Sequence, residues 1–125
     1  MTYTRLNPVD EVTTQDGWTI TTRTDGKVEI QRDAQVTVSG GGWSTWGSIY
    51  YATITDRVAY PFEFKYRPTV RVEMYRQDGH DTMGVSLSGM NSPYTTSPRL
   101  YVLSASNYNT ETTVGVTLYV TGVPA

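Results

Sequence analysis

The one histidine of the chain lies in a short polar run, Asp78-Gly79-His80-Asp81. Imidazole and carboxylate groups bind metal ions, so a metal site is the first chemistry that this run suggests. Its spacing fits no known ligand loop, because a calcium loop needs a longer run of oxygen ligands and a zinc site needs more His or Cys. A polar turn set by Asp78 and Gly79 explains the run better. The alternative is a symmetric oligomer in which several copies of His80 meet on the axis.

Catalytic patterns are weaker still. The chain has one histidine to act as a general base and contains no Gly-x-Ser-x-Gly, while Ser86 and Ser88 fall in a strand pattern. A glycosidase needs two carboxylates about 5–10 Å apart. Carboxylates of the right type are present, but none has a distinctive context: Asp56, Glu63, Glu73, Asp78, Asp81 and Glu111. We therefore predict a protein that is not an enzyme and binds no cofactor or metal.

Aromatic residues beside small polar residues are the stronger theme. Trp43, Trp46, Tyr50, Tyr94 and Tyr108 fall in or next to segments rich in Ser, Thr, Gly and Asn. Rigid rings combined with short polar side chains are typical of recognition surfaces, and exposed rings can stack on the C–H faces of sugars. The alternative is ordinary cross-strand pairing, which we expect for Trp18, Phe62 and Phe64. For the rings predicted in loops, the two interpretations are evenly balanced.

Composition limits the classes of protein to which the chain can belong. Its 125 residues suit one domain, and 10 basic against 12 acidic residues give a net charge of −2, which is unsuited to nucleic acid. The absence of Cys excludes disulfides and thiol catalysis, and no apolar run is long enough to span a membrane. The 38% hydrophobic content includes 10 Tyr, which predicts a thin aliphatic core.

Short alternating segments separated by turn signals must position these residues. An Asp25-Gly26 dipeptide between Trp18–Thr24 and Lys27–Arg32 predicts a two-residue type I′ hairpin. Further strands are predicted over residues 34–39, 49–55, 60–66, 69–77, 83–87, 99–106 and 113–121. No segment has helical apolar spacing.

These segments predict an all-β fold, an antiparallel β-sandwich of about eight short strands over residues 17–125. Residues 1–16 are polar and aperiodic, which predicts an N-terminal arm or linker. Period-2 alternation predicts the buried set: Ile20, Val28, Ile30, Phe62, Phe64, Val70, Val72, Val85, Leu87, Val114, Val116 and Leu118. The thin core, together with outward Thr117, Tyr119 and Thr121, predicts packing on partner copies, most simply as a parallel homotrimer.

Two stretches carry a family resemblance. The run Trp18-Thr19-Ile20 followed by Asp25-Gly26-Lys27-Val28-Glu29-Ile30 resembles the opening hairpin of C-terminal domains on tail-fibre and minor tail proteins of phages and prophages of Gram-positive bacteria. The run Tyr60-Pro61-Phe62-Glu63-Phe64-Lys65-Tyr66-Arg67-Pro68-Thr69-Val70-Arg71-Val72 is similar to their "PF-x-F, then P-x-V-x-V" signature, which H-type lectin-like sandwiches share. The resemblance covers residues 17–121, most clearly 18–74.

The resemblance implies a non-enzymatic sandwich that trimerises on an upstream fibre shaft, resides on the virion and binds a bacterial surface polysaccharide. The alternatives are a purely structural trimerisation or cap module of a virion fibre, and a secreted bacterial lectin. Because function tends to lie on loops held by a rigid scaffold, we predict the site in loops 43–46, 78–81, 91–96 and 107–109. The expected ligand contacts are three rings, one carboxylate and one imidazole: Trp46, Asp78, His80, Tyr94 and Tyr108.

Overall fold

The computed structural model describes residues 9–55, 57–87 and 93–125, and over these ranges the chain is all-β. Nine strands are formed: β1 (Val9–Gln15), β2 (Trp18–Arg23), β3 (Val28–Val38), β4 (Ser44–Trp46), β5 (Ile49–Ile54), β6 (Thr69–Asp78), β7 (Gly84–Leu87), β8 (Leu100–Ser104) and β9 (Thr112–Gly122). They make a five-stranded sheet in the order β1-β2-β3-β9-β6 and a four-stranded sheet in the order β4-β5-β8-β7, with every neighbouring pair antiparallel. The predicted antiparallel β-sandwich is confirmed. No helix in the described part of the chain is long and apolar enough to cross a membrane.

The two longest strands form the centre of the larger sheet. β3 and β9 pair over eleven residues, from Val28 opposite Gly122 to Val38 opposite Thr112. In both strands, aliphatic residues recur at every second position, except where Arg32 takes the middle position in β3, so one face of each strand points into the sandwich. β9 has the more completely buried set, since Val114, Val116, Leu118 and Val120 are each at most 1% exposed.

All twelve residues predicted to be buried are in the core or pack against it, but they differ in how completely they are buried. Seven of its members are buried: Ile20, Val28, Ile30, Phe64, Val114, Val116 and Leu118. The remaining five pack against the core while partly exposed: Phe62, Val70, Val72, Val85 and Leu87. Four of these five lie on β6 or β7, the edge strands on one side of the sandwich, where side chains have neighbours on fewer sides. Trp18, predicted to be structural, is fully buried, and its indole Nε1 donates to the Ala59 carbonyl at 2.8 Å.

The hairpin between β2 and β3 is real, but its predicted turn type was wrong. The Arg23 carbonyl accepts from Gly26 N at 3.0 Å, and Arg23 N donates to the Lys27 carbonyl at 2.9 Å, so the loop has three residues. Gly26 has a φ of 88°, whereas Asp25 is not in the positive-φ region that a type I′ turn requires. The type I′ geometry occurs instead at Asp16 and Gly17, with φ values of 52° and 85°, between Gln15 and Trp18.

Part of the predicted N-terminal arm belongs to the larger sheet, because the Asp16-Gly17 turn connects it to β2. Residues 1–8 lie outside the described part of the chain, but residues 9–15 form β1, which pairs with β2 at the edge of the larger sheet. Residues 11–17 are all exposed, so this part of β1 and the turn after it contribute hydrogen bonds to the sheet and almost nothing to the core. β1 is thus hydrogen-bonded as a strand, while its side chains at residues 11–15 lie outside the core, as expected for an arm.

Two further predictions differ from the structure. The strands predicted at 27–32 and 34–39 are one continuous β3, because Asp33 continues the pairing opposite Thr117. The strand predicted at 60–66 does not form, and this segment makes only isolated bridges, such as Phe64 with Pro124. Its rings also do not share one face, since Phe64 is 1% exposed and Tyr66 is 62% exposed. Pro61 lacks an N–H group and therefore cannot contribute to a regular ladder.

Candidate functional site

The five predicted ligand residues do not form one site. His80 and Tyr108 are in direct contact, and His80 also reaches Thr110, just before β9 begins. Tyr94 accepts a backbone hydrogen bond from Phe64, which bridges to Pro124 just after β9 ends. Because β9 has eleven residues, its two ends are about 33 Å apart. A single small ligand cannot contact Tyr94 and His80 together.

His80 and Tyr108 hold two loops together. Their rings stack with centroids 3.9 Å apart and planes 7° from parallel. His80 Nε2 hydrogen-bonds to the Thr110 hydroxyl, and the Tyr108 hydroxyl donates to the Asp81 carbonyl at 2.9 Å. Both side chains are half-buried. His80 Nε2 and the Tyr108 hydroxyl thus have partners within the chain, which favours a structural role over ligand binding.

Asp78 is also occupied. Its carboxylate oxygens lie 3.0 and 3.1 Å from Nε of Arg76, two residues earlier in β6. A carboxylate held by a guanidinium has less freedom to accept hydrogen bonds from a ligand. Within the three described ranges no three His, Asp or Glu side chains come close enough to hold a metal ion.

Tyr94 is 39% exposed, and the Arg67 guanidinium lies 5.8 Å from the centre of its ring. Residues 91 and 92 of the predicted loop lie outside the described residues. Tyr94 has no second exposed ring beside it among the aromatic contacts of the described chain. It offers one ring face and one cation.

Trp43 was expected in a recognition loop, and the structure places it in the core. It is 7% exposed and contacts Tyr108 edge to face, with ring centroids 6.3 Å apart. The three residues that follow it form β4. Sequence composition cannot separate Trp43 from Trp46, because both lie in the same Ser- and Gly-rich run.

Trp46 belongs to a group of neighbouring side chains that the sequence does not predict to lie together. It is 65% exposed and lies on the outer face of the four-stranded sheet. Its ring meets Tyr51 of β5 at 6.4 Å and 82°, and Tyr51 meets Tyr101 of β8 at 5.7 Å and 86°. With Leu103 these rings line a depression of about 220 Å³. We call this group, Trp46, Tyr51, Tyr101 and Leu103, the aromatic pocket.

The register explains how three strands build the aromatic pocket. Trp46 faces Ile49 and Tyr51 faces Leu103, so these residues share the outward side, while Ala52 and Val102 alternate inward. Successive rings occupy diagonal positions on neighbouring strands, which long side chains can bridge. Outward Tyr51 and Tyr101 could have been identified from the alternation Tyr-Tyr-Ala-Thr-Ile and Leu-Tyr-Val-Leu, but their pairing depends on a register that the sequence does not specify.

A second depression lies on the outer face of the five-stranded sheet. Its volume is about 270 Å³, and most of its lining residues have polar side chains, with Arg71 stacked 4.3 Å over the ring of Tyr119. Arg71 also lies 3.6 Å from Glu73. Tyr119 and Thr117, both expected to contact partner copies, are partly covered within the chain, since Thr117 donates to Asp33 at 2.7 Å and is 7% exposed.

No family model matches the chain, and comparisons with curated proteins and with solved structures find no match either.

Proposed function

We propose that the chain is a non-catalytic head domain of a phage tail fibre, which binds a glycan on the host cell surface through the aromatic pocket. The observation that carries the proposal is the exposed Trp46 ring above a depression lined by two further rings. An exposed tryptophan is costly to leave in water, and sugars cover such rings with their C–H faces. The assignment to a phage fibre rests on the sequence resemblance over residues 17–121.

The aromatic pocket supports this function better than the five residues expected from the sequence. His80, Tyr108 and Asp78 already have partners within the chain. By contrast, Trp46 has one ring neighbour and two-thirds of its surface in water. A site of this size gives weak binding for each copy, so useful adsorption requires several copies on one fibre, as in the homotrimer that the sequence predicts.

The second candidate is a structural module of the fibre, in which the aromatic pocket is a contact between copies of the chain. One observation favours it: none of the four strands β4, β5, β7 and β8 carries a charged residue. A symmetric contact brings the same surface against itself, and an uncharged surface meets no like-charge repulsion there.

One variant separates the two candidates. Trp46→Ala should abolish binding to an array of bacterial surface polysaccharides. Its oligomeric mass by light scattering should stay within a few per cent of that of the unchanged protein, and its melting temperature within a few degrees. Tyr66→Ala is the matched control, because Tyr66 is 62% exposed and lies outside the pocket. If the unchanged protein binds no glycan and Trp46→Ala dissociates an oligomer, the structural module is the correct function.

A further inference from the structure

The rings of the aromatic pocket are arranged as walls and not as a flat platform. The planes of Trp46 and Tyr51 differ by 82°, and those of Tyr51 and Tyr101 differ by 86°. A flat sugar ring can therefore stack on only one of them at a time. A depression of about 220 Å³ with ring faces turned in different directions is better suited to a compact, rounded group.

The electrostatic potential of the aromatic pocket favours a ligand group with a positive charge. An aromatic ring carries negative potential over its face, which attracts a cation and repels an anion. Leu103 completes the lining, so among the described residues neither a basic side chain that would repel a cation nor an acidic one that would bind a small hydrated cation is part of it. The net charge of the chain is −2, which also favours approach of a cation.

The cost of removing a cation from water distinguishes between primary and quaternary ammonium groups as ligands. A primary ammonium group needs hydrogen-bond acceptors when it leaves water, whereas a quaternary ammonium group has no N–H to satisfy. Its methyl groups also bury well against Leu103 and the ring faces. We propose that the aromatic pocket binds a quaternary ammonium group, such as the trimethylammonium of choline, carried as a substituent on the surface polymer.

This inference rests on the proposed function only for the source of the group, so the group itself is tested first with choline chloride. Saturation-transfer NMR on the choline methyl protons reports binding in any variant. The neutral comparison is 3,3-dimethylbutan-1-ol, which has the same shape with carbon in place of the charged nitrogen. We expect choline to bind about tenfold more tightly, the ratio expected when rings face a cation. Equal binding of both compounds would mean a merely apolar pocket and overturn the inference.

Matched variants test the ring faces. Tyr51→Phe keeps the face and should keep choline binding, while Tyr51→Leu keeps apolar volume without a face and should lose it about tenfold. Trp46→Leu gives the same test at a position that is 65% exposed, where folding is not at risk. Retention of choline affinity in both leucine variants would contradict the proposal.

Two sources of the group are distinguished last. A polysaccharide with choline substituents should bind and be displaced by free choline, whereas phosphatidylcholine vesicles should not bind, because their headgroups are closely packed and the pocket is recessed. Equal binding to vesicles would contradict the assignment to a surface polymer. Cell adsorption that depends on Trp46 but resists choline would overturn the inference and leave the proposed function intact. Binding of choline without adsorption to any glycan or cell would support the quaternary ammonium site and overturn the proposed function.

Discussion

The imidazole of His80 lies flat on the phenol ring of Tyr108, with 3.9 Å between ring centres and 7° between planes. One residue comes from the loop after β6 and the other from the loop before β9. Hydrogen bonds at both outer edges extend the contact, from His80 to Thr110 and from Tyr108 to the Asp81 carbonyl. The pair therefore fastens two loops at one end of the sandwich.

Removing the imidazole should loosen that end. We expect His80→Ala to lower the free energy of unfolding by about 1 kcal/mol, because one hydrogen bond and one stacked contact are lost. Amide hydrogen exchange over residues 79–83 should become faster. Tyr108→Phe is the control, since it keeps the stacked ring and loses only the bond to Asp81. If His80→Ala leaves exchange in both loops unchanged, the pair does not fasten them.

The hydroxyl of Tyr60 is buried and has no hydrogen-bond partner among the residues that the structure describes. Its ring packs edge to face on both Trp18 and Phe64, at 5.6 and 5.4 Å between centroids. Tyr60→Phe keeps these contacts and removes the cost of the unpartnered hydroxyl, so it should raise the free energy of unfolding by about 1 kcal/mol. Chemical denaturation at pH 7 measures this. A destabilised variant would mean that the hydroxyl has a partner, such as a buried water.

Tyr60 also predicts how stability depends on alkaline pH. Burial raises the pKa of its phenol above the ordinary value of 10.0. The folded chain then keeps the proton that the unfolded chain releases, so the stability from the neutral phenol is complete below pH 10 and is lost as the pH rises beyond it. Tyr60→Phe should therefore lose less stability than the unchanged protein between pH 10 and 11. Parallel losses in both proteins would contradict this.

Much of the fold could be predicted because β-alternation is local. Val114, Val116 and Leu118 alternate with Gly115 and Thr117, and all three aliphatic residues are buried as expected. The turn at Asp16-Gly17 carried the same dipeptide signal as Asp25-Gly26. The polar residues before it did not predict β1, whose side chains at residues 11–15 stay exposed. Alternation predicts strands that bury one face, and it cannot detect a strand that buries neither.

The site was less predictable because it depends on register. Trp46 was identified from composition, but Tyr51 and Tyr101, which complete the pocket, lie 5 and 55 residues further along the chain on two other strands. The same composition also selected Tyr108, which the structure uses to hold a loop. Aromatic residues in loops of similar composition therefore have different roles, which depend on the residues that each one contacts in the folded chain.

The glycine run before β4 has one position with no room for a side chain. A Cβ atom on Gly40 would overlap the backbone carbonyl of Asn109, whereas one on Gly115 would meet the exposed end of the Tyr75 ring at 2.7 Å. Backbone cannot move aside and an exposed ring can. We expect Gly40→Ala to cost about 2 kcal/mol or more of unfolding free energy and Gly115→Ala clearly less. The reverse order in thermal unfolding would be incompatible with this packing.

Tyr94 was expected in the ligand site, and its position predicts the opposite result. Because it lies at the other end of β9 from the loops joined by His80, it cannot contact a ligand held by them. Tyr94 is also not part of the aromatic pocket. Tyr94→Ala should therefore leave glycan binding within about twofold of the unchanged protein, while Trp46→Ala abolishes it. A loss in Tyr94→Ala comparable with that in Trp46→Ala would place the ligand elsewhere.

Within the nine described strands, every charged residue lies in the five-stranded sheet and none lies in the four-stranded sheet. The two layers therefore respond to different solution conditions. Added salt screens repulsion between copies that approach through the charged layer and does nothing at the other. Cooling weakens apolar adhesion at the uncharged layer and leaves the charged one almost unaffected. Ionic strength and temperature can thus be varied separately to learn which side of the domain two molecules present to each other.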